Sequence, residues 1–198
     1  MINITFRDVL MLTVMCFMAF VLWMLPHLNP PADQDKKIID PPGNFNVSIA
    51  WPDGEPDVDV WIKAPGDDGP VGFTAMNGKQ CNLTRDDLGR YLDFGKSNFE
   101  NIFCRGLLAG SYTVNLHCFA CYVSRAGQWV MQPVPVEVRI TARDEHGNFE
   151  WERQATVTLR RNKQELTVVR FKLDRSGNIV PGSENNVFKS IIGQGRTP

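Results

Sequence analysis

Asp8 stands directly before an unbroken apolar run, VLMLTVMCFMAFVLWML, over residues 9 to 25. An ionised carboxylate at a hydrocarbon boundary is costly, so acids in such positions usually face protein or water and mark ion or proton pathways. Enclosed by partner helices, Asp8 could load and release a proton. A local role is equally open. Thr5-x-x-Asp8 has capping-box spacing, in which Asp8 would complement free N–H groups and the helix dipole, paired with Arg7. Spacing alone leaves both readings standing.

The other residues that could do chemistry are less promising. Cys16 lies in the run, and Cys81, Cys104, Cys118 and Cys121 lie beyond it, an even number that permits disulfides in an oxidising compartment. Cys118-Phe-Ala-Cys121 has redox or zinc spacing. Residues 112 to 123 alternate like a strand, however, which leaves Cys118 buried and Cys121 outward, and a zinc site lacks a second ligand pair. A bridge between Cys81 and Cys104 would close the loop-rich stretch between them, stabilising it by roughly 3 kcal/mol. The pairing stays open. His27, His117 and His146 are scattered, and no Gly-x-Ser-x-Gly, phosphate loop or His-Glu-x-x-His occurs, so the chain is read as non-enzymatic, with no cofactor and no metal. Asp53, Glu55, Asp57, Asp59, Asp67 and Asp68 lack EF-hand spacing and read as solvated turn residues. With 21 basic against 22 acidic residues and no basic block beyond Arg160-Arg161, nucleic acid is not an expected partner.

The elements that must position these residues follow from pattern. About 20 apolar residues cross a bilayer as a helix, so residues 1–28 are expected to be a transmembrane anchor. It should remain uncleaved, because Trp23, Met24, Leu25 and Pro26 leave no small-x-small site. The short head is expected in the cytoplasm and the bulk of the chain outside. At about 100° per residue, Leu12, Met15, Ala19 and Leu22 share the face of Asp8, a stripe suited to packing against other helices. Residues 29–43, with proline pairs at both ends, read as a semi-extended linker.

From residue 44 to 181 the period changes to two. Phe45, Val47 and Ile49 alternate, as do Val58, Val60 and Ile62, and Tyr112 through Cys118. Further sets are Val134 to Ile140, Ala155 to Leu159 and Val169 to Leu173. Turn chemistry separates them, and only residues 86 to 94 suggest a short helix. The expectation is an antiparallel β-sandwich. Trp61, Phe119 and Trp151 fall off the inferred core faces and could form a contact patch for a protein or glycan. Residues 182–198 read as a flexible tail around Val187, Phe188, Ile191 and Ile192, a small apolar patch.

Gly110-Ser111-Tyr112-Thr113-Val114 resembles the turn into a strand of many immunoglobulin-like and transthyretin-like modules, with Ala109 where proline is usual. In that pattern the tyrosine hydroxyl bonds back to the backbone. The opening Ile2-Asn3-Ile4-Thr5-Phe6-Arg7-Asp8-Val9-Leu10-Met11-Leu12 resembles the start of the ExbD and TolR proteins. Phe6-Arg7-Asp8, with Trp23 near the far end, also resembles the flagellar stator subunit MotB. The resemblance implies a single-span subunit of an ion-driven motor in the bacterial inner membrane, its bulk periplasmic. It further implies that Asp8 carries protons or sodium, and that two copies sit inside a multi-span, MotA/ExbB-like ring. The likeness is confined to the anchor, and no OmpA-like peptidoglycan-binding motif follows it. The alternative is a membrane-tethered adhesion or assembly module whose sandwich binds an outer protein or glycan.

Overall fold

The computed structural model describes residues 2–28, 44–89, 97–143 and 149–192. The linker expectation for residues 29–43 lies outside them. The chain divides into two compact units, Met1–Asp40 and Pro41–Pro198.

The first unit holds one helix, α1 (Ile2–Leu28). Leu, Met, Ala and Phe dominate it, and no glycine or proline interrupts it before Pro26, so nothing breaks its hydrogen-bond ladder over most of its length. Its apolar stretch Ile4–Met24 is long and hydrophobic enough to cross a membrane, and none of it is buried by protein. Thr13 hides its hydroxyl from such surroundings by donating to the Val9 carbonyl at 2.9 Å.

The second unit is all β and antiparallel. Its strands are β1 (Phe45–Trp51), β2 (Asp57–Lys63), β3 (Cys81–Arg85), β4 (Asn98–Cys104), β5 (Gly110–Ala120), β6 (Tyr122–Arg125), β7 (Gln128–Met131), β8 (Val134–Arg143), β9 (Phe149–Leu159) and β10 (Glu165–Leu173). One sheet runs β3-β4-β1-β8-β9, a second runs β10-β5-β2, and β6 and β7 form a separate hairpin. The two larger sheets share one sandwich-like core. Val47, Ile49, Ile102, Val138 and Ile140 come from the first, and Val58, Val60, Val114, Leu116 and Phe171 from the second.

The alternating segments named above all lie in strands. Those without clear alternation are β3, β4, β6 and β7. In β4 the inward positions are Asn98, Glu100, Ile102 and Cys104, so two polar side chains interrupt the apolar rhythm. The β6–β7 hairpin turns at Ala126 and Gly127, both with positive φ (49° and 78°), the two-residue loop whose twist matches the flanking strands. Residues 86–89 are not helical, and the rest of the expected short helix lies outside the described residues.

Cys81 and Cys104 face each other across β3 and β4 and are disulfide-bonded. Cys121 is a correction: it is fully buried and bonded to Cys118. Strand β5 ends at Ala120, opposite a register shift between Asp57 and Val58, so the alternation that would have turned Cys121 outward stops before reaching it. At the other end of β5, the Tyr112 hydroxyl donates to the Leu108 carbonyl at 2.9 Å and accepts from Gln80 at 3.1 Å. The corner expected from its glycine and tyrosine is therefore present.

The tail is not loose as far as Ile192. Arg170 and Asn185 exchange both backbone hydrogen bonds, and Ile191 is fully buried. Glu165 holds the last described turn. Its Oε1 accepts from Ile191 N at 2.8 Å, Ile192 N at 3.2 Å and Asn115 Nδ2 at 2.6 Å, and its Oε2 accepts from the Ser190 hydroxyl at 2.6 Å. Of the expected tail patch, only Val187 and Phe188 are strongly exposed. Burial alone would raise the Glu165 carboxyl, but its bonds to Ser190, Ile191, Asn115 and Ile192 outweigh that and hold it below the ordinary glutamate value. A lowered carboxyl contributes stability above its unfolded pKa and loses it as pH falls through the folded one. Acidification below the usual glutamate range should thus release the strap. Glu165→Ala should release it at every pH, costing roughly 1–3 kcal/mol for bonds to a charged group. Hydrogen exchange at Ile191 and Ile192 measures this; unchanged protection in the variant would assign the hold to Ile191 packing alone.

Candidate functional site

On α1, Asp8 lies well inside the helix. The free N–H groups of a helix belong to its first four residues. Because α1 begins at Ile2, the helical pattern pairs the Asp8 N–H with the Ile4 carbonyl and puts Thr5 inside the helix, where it cannot be an N-cap. The capping role that spacing allowed has no free N–H to serve. Among the described residues Asp8 pairs with Arg7, whose Nε is 3.6 Å from Oδ1, with both side chains mostly exposed. An exposed pair of this kind is worth little, roughly 0–1 kcal/mol. Leu12, Met15 and Leu22 are 64%, 65% and 62% exposed, and Ala19 is exposed too, so the whole stripe below Asp8 is uncovered within this unit.

The expected contact patch does not exist as such. Trp61 is buried: the segment at Val71 and Gly72 pairs with Ile62, and a Cβ on Gly72 would come within 2.3 Å of the Trp61 ring. Phe73 stands edge-on to that ring at 5.5 Å and to Phe119 at 5.4 Å. Trp151 packs edge-on against Phe45 and Phe171 at the margin of the core. Trp151 is partly buried and Phe119 is the exposed one of the three, with Lys163 Nζ 3.6 Å from its ring centroid.

A second concentration of chemistry lies in the β domain. Asp57 and Asp59 are not solvated turn residues. They are buried, because β2 is covered on both faces: Val58, Val60 and Ile62 on one, Asp57, Asp59 and Trp61 on the other. β2 is also an edge strand, and its outward N–H groups need acceptors. Ile62 uses the Val71 carbonyl at 2.9 Å, and Val60 uses Glu100 Oε2 at 2.7 Å. Glu100, fully buried on β4, thus takes the place of a neighbouring strand, and its Oε1 accepts from Asp87 N at 3.2 Å. His117 on β5 places Nδ1 2.8 Å from Asp59 Oδ2. Asp87 is satisfied by Arg85 Nη2 at 2.8 Å, Gly89 N at 3.0 Å and Phe99 N at 3.1 Å.

The electrostatics follow from this crowding. Asp57 is pushed up to about 7, first by burial and then by Asp59, Asp86 and Asp87. Burial raises Asp59 against the pull of His117, and burial drives Glu100 well above its ordinary value. Sequence reading missed Asp86, Glu100 and His117. The available signal was Asp57-x-Asp59-x-Trp61, three residues on one strand face ending in a large aromatic that seeks cover. Asp67, another acid read as solvated, is buried and accepts from Gln80 N at 2.7 Å, organising its turn.

No protein-family model, no curated protein and no solved structure matches this chain. Its own geometry defines a class: an apolar helix long enough to span a membrane, and an all-β antiparallel domain closed by two disulfides.

Proposed function

We propose that the chain is a non-enzymatic, single-span subunit of a proton- or sodium-driven motor in a bacterial inner membrane. Two copies stand inside a multi-span, MotA/ExbB-like ring, N-termini cytoplasmic. The periplasmic domain, an immunoglobulin-like or transthyretin-like sandwich, transmits the motion to an outer protein or glycan. The observation that carries this reading is the position of Asp8, an acid past the first helical turn, without a capping task, at the head of an uncovered apolar stripe. Partner helices that cover the stripe would also enclose the acid. The disulfides favour an oxidising compartment for the domain. Loss of the Asp8 charge on ion binding changes which partner surface it prefers, so a gradient biases the order of states.

Purification of the full-length chain in mild detergent tests this. The expected companion is a multi-span protein in molar excess over this chain. Recovery of the chain alone would favour a second reading, a tethered adhesion module. One feature supports that alternative: Tyr122 and Trp129 lie exposed on one face of the β6–β7 hairpin, outside both sheets.

A further inference from the structure

Carboxylates from three separate parts of the chain converge beside the edge of β2. Asp59 on β2, Asp86 in the segment after β3, and Glu100 on β4 each offer one oxygen, and the three oxygens lie within 4.8 Å of one another. A second observation stands outside this trio. Asp57 is only 5% exposed, its Oδ1 has no hydrogen-bond partner, and it feels the charges of Asp59 and Asp86 directly. Asp86 Oδ1 is likewise buried without a partner. A buried acceptor left unmatched is costly, and more so when it is charged.

Positive charge is short among the described residues. Arg85 serves Asp87, and His117 serves Asp59 through Nδ1. Lys163 acts on the group only as a Coulombic attraction and lies over the Phe119 ring. Among the described residues, these four acids are met by one imidazole and the weaker attraction of Lys163, an arrangement suited to a further cation or to shared protons.

We propose that Asp59, Asp86 and Glu100, with the buried Asp57 beside them, form a binding site for a hard divalent cation, calcium in the first place. Every donor is an oxygen, the ligand type that hard cations take. The three oxygens lie within 4.8 Å of one another, close enough to share one ion at calcium's bond lengths of about 2.3–2.6 Å. Magnesium, which demands a near-ideal octahedron and gives up its waters reluctantly, suits a site of protein carboxylates less well. The bound ion would clamp the two sheets together at this edge, since Asp57 and Asp59 belong to the three-stranded sheet and Glu100 to the five-stranded one. This site is independent of Asp8 and of the motor reading.

The test uses the full-length chain in detergent, stripped with EDTA and titrated with CaCl2 or MgCl2. Thermal unfolding and calorimetry follow binding. Calcium should raise the unfolding midpoint, magnesium less so, and Asp86→Asn and Asp57→Asn should each weaken calcium binding at least about ten-fold. The sign of the Asp86→Asn effect discriminates further. In EDTA the variant should melt at or above the wild type, because one crowded charge is gone; in calcium it should melt below it. The proposal is overturned if wild-type protein shows no calcium-dependent shift up to about 10 mM, beyond weak extracellular sites, with Asp86→Asn melting above it in both buffers. The acids would then be held neutral by protons. An undiminished calcium shift in both variants would place the ion elsewhere and overturn it equally.

Discussion

If the chain is the proposed motor subunit, Asp8→Asn should leave it inserted and assembled with its partner while abolishing ion-dependent work. Asparagine keeps the size and the hydrogen-bonding reach of the side chain, so contacts along Leu12, Met15, Ala19 and Leu22 are preserved. It cannot gain or lose charge. A ligand shifts a two-state equilibrium only through its differential interaction with the two states, and here that difference is the carboxylate charge. Removing it sets the coupling to zero, so the expected loss is complete. The control is recovery of partner and variant at the wild-type ratio after detergent extraction. Full activity in a correctly assembled Asp8→Asn protein would discard the mechanism, and loss of assembly would give Asp8 a structural task at the helix interface.

The largest stability effect is expected at Phe45. Phe45→Ala should cost roughly 3–5 kcal/mol, the range for a buried aromatic truncated to alanine. Its ring is fully buried, with the rings of Tyr112, Trp151 and Phe171 at 5.5, 5.9 and 6.0 Å. Such pairs contribute about 0.5–1.5 kcal/mol each beyond buried area. The neighbours are poorly placed to fill the gap. Tyr112 is tethered through its hydroxyl and stacked on Phe171 at 5.1 Å, and β1 is hydrogen-bonded on both sides, to β4 and β8. Domains of this size have total stabilities of roughly 5–15 kcal/mol, so a large part is at stake. Urea unfolding of the full chain, followed by tryptophan fluorescence, measures it. A loss below about 1 kcal/mol would mean that the site collapses around alanine, contrary to a rigid four-ring cluster.

Several features were legible directly. The long apolar helix needs only a count of apolar residues, and the strands at Phe45, Tyr112 and Val134 need only alternation over neighbouring positions. The tyrosine corner depends on four residues of spacing. The Asp8 question was posed by the sequence but narrowed by the helix start at Ile2, which capping-box spacing had placed later. Cys121 was misplaced because alternation was carried past the end of β5. Alternation by itself leaves Trp61 on a wet face, whereas the returning segment at Val71 and Gly72 covers it.

Local pattern therefore settled the long apolar helix, the β character of the rest and the positions of the main strands, since each follows from steric and solvation preferences that act within a few residues. The identity of the acidic cluster did not follow in this way. Val60 and the Glu100 carboxylate that caps it are 40 positions apart, and His117 is 58 positions from Asp59. Only the closing of two sheets on one core decides which strand edge lacks a neighbour and which side chains are drawn in to replace it.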